Sequence, residues 1–275
     1  MELVEHVSAL TGAGFVREVR GGHQSRVFEA RGGDLARPLA VKVLDAEVSD
    51  RAEVEARTAV VADLAARDRV VCGPRALEGR LATPLDLDAG PVLVTASEWA
   101  EGAPLDPADP DDAALLGRTL ATLHVSMRAV DASGLRPVAA LRVVPVDPAL
   151  GDQLLHGDVN HGNLRSAAGS VRVFDLDDCG RGPALFDVAN AVYMARFAAA
   201  VGRAGGTFEE PFLAGYAAAT GTTLDHQLLE HLVDVRVRAL VTWLDDPATA
   251  PIGIRRADPA WHDVLRRFAA DHLRR

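Results

Sequence analysis

Between Leu155 and Asp178 the chain reads LHGDVNHGNLRSAAGSVRVFDLDD, and no other stretch restricts the possible folds as tightly. It offers a carboxylate at Asp158, an amide at Asn163, a short turn at Ala168 and Gly169, and an apolar run (Val171, Val173, Phe174) ending in Asp175. A strand, a tight loop and a hairpin built on this pattern bring three oxygen-bearing side chains to one edge. Phosphoryl transfer uses such a set. One carboxylate lies beside the acceptor hydroxyl, and an amide and a second carboxylate hold magnesium on the nucleotide phosphates.

Basic residues add a second constraint. Of 29 Lys and Arg, only Lys42 is a lysine, so a chain that uses Arg wherever a surface cation will do has kept one compact ammonium. Lys42 sits in LAVKVL, an alternating run in which Ala40, Lys42 and Leu44 share one face.

Taken in order, residues 2–10 read as a short helix, and Phe15 to Arg20, Arg26 to Ala30 and Leu39 to Leu44 as three strands. The turn from Gly21 to Ser25 can offer backbone N–H groups to phosphates, with Gly22 and Ser25 the residues of interest. A Gly-Gly hairpin is more often only a turn. A helix from about Ser49 to Arg67, capped by Ser49 or Asp50, follows. Arg80 to Pro84 and Val92 to Ala96 read as two further strands around the turn Asp86 to Gly90. The Pro- and Asp-rich shift after residue 96 marks a hinge at 97–102 between lobes 1–96 and 103–275. Asp109 or Asp111 caps a helix to about Val130, whose Leu116, Leu120, Leu123 and Met127 form a core stripe. His124 on it reads as packed or surface histidine. Residues 131–150 are irregular. Helices at Phe186 to Val201, Glu209 to Thr220, Asp225 to Leu244 and Pro259 to Leu273 complete the chain.

HGDVNHGN followed by VFDLDD resembles the HGDxxxxN and (I/V)DxxD motifs of the aminoglycoside phosphotransferase family, small-molecule relatives of protein kinases. The resemblance implies an α+β, bilobal protein-kinase-like fold: an antiparallel-sheet N-lobe with one main helix, and a mostly helical C-lobe. It implies Asp158 as catalytic base, Asn163 and Asp175 as magnesium ligands, and Lys42 as the third-strand lysine on the phosphates. Glu55, with Glu53 as alternative, would pair with Lys42. Ser97 would take the gate position, and the Glu98 carbonyl and Ala100 N–H would meet the adenine. The nucleotide is ATP, with GTP still open, together with Mg2+. Asn160 and His161 depart from the commoner HGDLHPGN form. Asp187 resembles a structural aspartate that ties the catalytic loop together. Asp177 can support the metal or steer substrate. Acids on the C-terminal helices are candidates for substrate ammonium groups, with Asp245 and Asp246 foremost, because carboxylates are disfavoured at a helix C-terminus.

Net charge of −10 and a pI near 5.3 speak against nucleic-acid or anionic-membrane binding and fit a small cationic substrate. The N-terminus carries acids where a signal peptide needs basic residues, and no apolar run reaches membrane-spanning length. Two cysteines without metal-ligand spacing fit a reduced cytoplasmic protein. No motif calls for an obligate protein partner. The function expected is therefore ATP-dependent phosphorylation of an antibiotic, an aminoglycoside or a basic cyclic peptide of the tuberactinomycin type, conferring resistance. A metabolic kinase for choline, homoserine or a similar amino alcohol is the alternative. Two other classes remain to be weighed: a non-haem iron oxygenase using His156, Asp158 and a distant His226, and a nucleotide binder without catalysis.

Overall fold

The computed structural model describes residues 3–19, 25–47, 49–167, 169–203 and 207–274. They form two compact units, Met1–Glu101 and Gly102–Arg275.

In the first unit, helix α1 (Leu3–Thr11) precedes strands β1 (Phe15–Val19), β2 (Arg26–Arg31) and β3 (Leu39–Asp45). Helix α2 (Arg51–Arg67) leads to β4 (Pro74–Arg75), β5 (Thr83–Leu87) and β6 (Gly90–Glu98). The strands pair antiparallel in the order β1-β2-β3-β6-β4, with β5 also on β6. Alternation divides the side chains between two faces. Val41, Val43, Phe28 and Val94 pack with Val7 of α1, while Leu44 and Leu93 pack with Val54 of α2. Each fully buried Val or Leu contributes about 1.5–3 kcal/mol. Asp50 starts α2 by accepting from the Ala52 and Glu53 N–H groups.

The second unit opens with β7 (Ala103–Pro104) and helices α3 (Pro110–Arg128) and α4 (Ala139–Val143). Strands β8 (Gln153–Leu155), β9 (Leu164–Ala167), β10 (Ser170–Val173) and β11 (Gly180–Gly182) follow. Helices α5 (Leu185–Ala200), α6 (Glu209–Thr220), α7 (His226–Asp245), α8 (Ile252–Arg255) and α9 (Pro259–Leu273) end it. Asp109 caps α3, with Pro110 in its first turn, and the stripe Leu116, Leu120, Leu123 and Met127 is buried as its spacing requires. Helices α3 and α6 approach through Gly117 and Gly215. A Cβ on Gly117 would lie 2.1 Å from the Phe212 carbonyl, and one on Gly215 2.3 Å from that of Ala114. Helix α5 packs on α7, and α9 adds edge-to-face aromatic contacts, Phe268 meeting Tyr193 and Phe197 with centroids 5.6 and 5.2 Å apart.

Five short elements, β4, β7, α4, β11 and α8, are absent from the sequence expectation, and β5 begins three residues later than expected. Helix α4 has no side-chain cap and lies between Pro137 and Pro145, so nothing local announces it. Among the described residues no helix is long and apolar enough to cross a membrane.

Candidate active site

The motif region of the second unit folds as two small ladders joined by a loop. Strand β8 pairs with β11, and β9 pairs with β10 in the register Leu164↔Val173. His156, Gly157 and Asp158 leave the end of β8. Gly157 has φ of +84°, and a Cβ there would lie 2.1 Å from the Asp178 carbonyl, so only glycine fits.

Asp187, fully buried in the first turn of α5, fixes this loop. It accepts from the His156 N–H at 2.8 Å and the Gly157 N–H at 2.9 Å. His124 of α3 reaches the same carboxylate through Nε2 at 3.2 Å, and its Nδ1 meets the Tyr216 hydroxyl at 2.9 Å. A consistent arrangement has Tyr216 donating to Nδ1 and Nε2–H donating to Asp187. Burial, helped by Asp187, pushes the Tyr216 hydroxyl up to about 12, so it remains a donor. Burial alone would raise the Asp187 carboxyl. The His124 hydrogen bond, with the Gly157 N–H, holds it below the usual range.

Asp158 is gripped by two amides. Asn160 Nδ2 and Asn163 Nδ2 each donate to its Oδ2 at 3.2 Å and to its carbonyl at 3.1 and 2.9 Å. Asn160 also caps the short 3-10 turn His161–Asn163, accepting from the Gly162 N–H at 2.8 Å. Burial raises the Asp158 carboxyl, His156 pulls it down, Asp175 pushes it further up, and Arg236 and the Asn163 hydrogen bond work against that.

Asn163 and Asp175 stand at the facing ends of β9 and β10, tied by the Phe174 N–H donating to the Asn163 carbonyl at 3.1 Å. Because Nδ2 of Asn163 points at Asp158, its Oδ1 is the atom left for a cation. Asp175 adopts φ of +64°, a conformation few non-glycine residues hold. The pair suits Mg2+, which takes one or two protein oxygens and completes its shell with phosphate and water. Among the described residues no group of three or more His, Cys, Asp or Glu is placed to hold a metal alone.

In the first unit Lys42 lies on the half-buried face of β3, opposite Val27 and Thr95. Leu44, on the same face, packs with Val54 of α2. Glu55 pairs with Arg51 at 2.7 Å and is 43% exposed, whereas Glu53 is 27% exposed and lies 3.7 Å from Arg57. Ser97 and Glu98 end β6, opposite Ala40 and Leu39. The Glu98 N–H donates to the Gly73 carbonyl and the Glu98 side chain accepts from Arg75. Ala100 follows the Trp99 N–H bond to Pro38. Ser25 is half-buried just before β2, and Gly22 lies outside the described residues.

Two expected substrate acids are engaged elsewhere. Asp245 pairs with Arg266 of α9 at 2.8 Å, and Asp246 caps the turn Pro247–Thr249. Asp177 belongs to the short turn Leu176–Asp178 beside Asp175. The iron alternative fails on geometry, because both His156 ring nitrogens are used: Nε2 meets the Phe174 carbonyl at 3.1 Å and Nδ1 accepts from the Asp158 N–H at 3.4 Å.

Sequence reasoning overlooked Asn160 as a second clamp on Asp158, and it overlooked Arg236. The latter occupies a core position of α7, in step with buried Leu229, Leu232, Val233, Leu240 and Trp243. An arginine inside an apolar stripe was the available signal.

Residues 138–226 match the Phosphotransferase enzyme family. No curated protein sequence matches the chain. Solved structures do. The amicoumacin kinase hAmiN in complex with AMP-PNP, Ca2+ and Ami is 17% identical, with a TM-score of 0.71 over 98% of this chain and 92% of that one. A microcompartment-associated aminopropanol kinase is 19% identical, with a TM-score of 0.70 over 98% and 95%. Choline kinase from Cryptosporidium parvum Iowa II is 11% identical, with a TM-score of 0.64 over 94% and 88%. At these identities the likeness establishes the fold, which is that of the protein-kinase-like small-molecule kinases.

Proposed function

We propose, from the match of residues 138–226 to the Phosphotransferase enzyme family, that the chain transfers the γ-phosphoryl group of ATP to a hydroxyl of a small molecule. The observation that carries this reading is the Asp158 carboxylate, whose Oδ2 is held by two amides beside the Asn163 and Asp175 oxygens. Oδ1 of Asp158 then receives the acceptor hydroxyl. It orients that hydroxyl and takes its proton as the oxygen attacks phosphorus and ADP leaves. Burial raises the carboxyl and so favours proton acceptance. Asn163 and Asp175 would hold Mg2+, which neutralises phosphate charge when bound. Lys42 meets the phosphates as a point charge, and Glu53 or Glu55 holds it extended. Gly22 and Ser25 belong to the phosphate turn, with Ser97, Glu98 and Ala100 at the adenine. In a loose transition state, positioning and charge neutralisation supply most of the acceleration.

The acceptor on this reading is a small cationic molecule, an aminoglycoside or basic peptide antibiotic, supported by the net charge of −10. A second reading, a metabolic kinase for choline, homoserine or a similar amino alcohol, is supported by the likeness to the aminopropanol and choline kinases. Buried, unbridged Cys72 and Cys179 suit the reducing cytoplasm. The test is an ADP-release assay across aminoglycosides, basic peptide antibiotics and amino alcohols, with 31P NMR of the product. A new phosphomonoester appearing with ADP supports the reading. ATP hydrolysis to free phosphate alone, whatever the acceptor, refutes it.

A further inference from the structure

Arg165 is the second residue of β9, and the chemistry above leaves it unused. It stands directly opposite Arg172 of β10, while the neighbouring pair, Leu164 and Val173, is buried on the other face of the hairpin. Like charges set opposite each other across a hairpin are unfavourable, so an arginine at this place needs a compensating role. Its contacts supply one. Arg165 Nη1 donates to the Gly162 carbonyl at 2.9 Å and to the Leu164 carbonyl at 2.8 Å, the two carbonyls on either side of Asn163. The Asn163 carbonyl between them receives the Phe174 N–H at 3.1 Å. The Arg165 guanidinium carbon also lies 4.8 Å from the centre of the Phe174 ring, a cation–π distance.

One guanidinium therefore grips the backbone on both flanks of Asn163 and the ring of the residue that precedes Asp175. Asp175 needs such support, because a non-glycine residue holds φ of +64° only where its surroundings impose it. The spacing between Asn163 Oδ1 and the Asp175 carboxylate decides whether both can meet one small octahedral cation, and it is set by contacts that neither side chain makes itself. We propose that Arg165, acting through Phe174, is a positioning residue for the cation site, holding Asn163 and Asp175 at the spacing Mg2+ requires. The proposal rests on the kinase reading for the assignment of the two ligands. Its sign separates it from a bystander charge. Removing a positive charge near a divalent ion should tighten binding by Coulomb's law, whereas removing the clamp should loosen it.

The experiment titrates the full chain, mixed with equimolar AMP-PNP, with Mn2+ and reads free Mn2+ by electron paramagnetic resonance. Arg165→Met, which keeps an unbranched apolar stem and loses the fork, should raise the Mn2+ dissociation constant about tenfold or more. Arg165→Lys, which keeps the charge without the planar fork, should give an intermediate constant. Phe174→Leu removes the ring face and should loosen Mn2+ in the same direction. Arg165→Met combined with Phe174→Leu should lose less than the sum of the two single losses, since both break one contact. Thermal unfolding identifies a variant that has merely lost its fold, and Arg165→Lys and Phe174→Leu then decide. If the native protein holds Mn2+ no more tightly than Asp175→Ala does, the ligand assignment fails and the proposal falls with it. If native binding depends on Asp175 but Arg165→Met binds Mn2+ as tightly as native or more tightly, or if the Arg165 and Phe174 losses simply add, the assignment stands and the positioning role of Arg165 is overturned.

Discussion

Asp187→Asn changes one atom and should expose how the catalytic loop is held. The carboxylate accepts from the His156 N–H and His124 Nε2 on Oδ2 and from the Gly157 N–H on Oδ1. Asparagine offers one acceptor oxygen, and the least costly orientation keeps it on the doubly occupied side. Its NH2 then faces the Gly157 N–H, donor against donor, and leaves a buried group unmatched at about 1–3 kcal/mol. The remaining bonds also lose their charge assistance, which roughly halves their strength. Together the loss is about 2–4 kcal/mol. At about 2–4 °C per kcal/mol for a unit of this size, Tm should fall by roughly 5–15 °C. The pH dependence has a definite sign. The folded carboxyl is held below its unfolded value, so its contribution is present above about pH 4 and is lost as pH falls through the folded value. The gap in Tm between native protein and Asp187→Asn should therefore be widest near neutrality and narrow in acid. Calorimetric melting from about pH 3 to pH 7 checks both. A variant that melts within about a degree of the native protein at pH 7, or a gap that widens in acid, refutes the hub role of Asp187.

Further outcomes follow from single contacts. Asp175→Ala should raise the Mg2+ concentration needed for half-maximal ADP release by about tenfold or more while leaving the melting of the first unit unchanged. Gly117→Ala places a methyl 2.1 Å from the Phe212 carbonyl and should destabilise the second unit by about 1–3 kcal/mol or more in urea unfolding, with little effect if α3 and α6 can separate freely. Glu53→Gln should raise the KM for ATP more than Glu55→Gln, because Glu55 is engaged with Arg51; the reverse ranking would assign the lysine partner to Glu55.

Much of the fold was legible because it rests on local rules. Helices α6 and α9 begin and end where apolar periodicity, Gly221 and Pro259 place them, and Asp50 and Asp109 cap as their positions suggest. Elements fixed by distant partners were not legible. Strand β4 is two residues long and exists through pairing with Ser97 and Ala96 of β6. Asp245 seemed to need a ligand at a helix C-terminus, but the compensating charge is Arg266, some twenty residues on, which also donates to the Leu244 carbonyl. Arg236 went unread because a charged residue on a helix is ordinarily assigned to its solvated face. Only the packing of α7 against α5 shows that it lies against Tyr193 and Trp243. The motif loop divides in the same way. Asp158, Asn163 and Asp175 stand out by spacing, whereas the Asn160 clamp depends on the turn the loop itself takes and the His124–Tyr216 support on how α3 and α6 meet.

The central claim is that Asp158 takes the proton of an acceptor hydroxyl during phosphoryl transfer, and Asp158→Asn tests it most directly. With native turnover in hand for any acceptor, the variant should bind AMP-PNP within about twofold of the native affinity and lose roughly 100-fold to 10,000-fold in kcat. Native-like kcat in a folded Asp158→Asn protein would contradict the account.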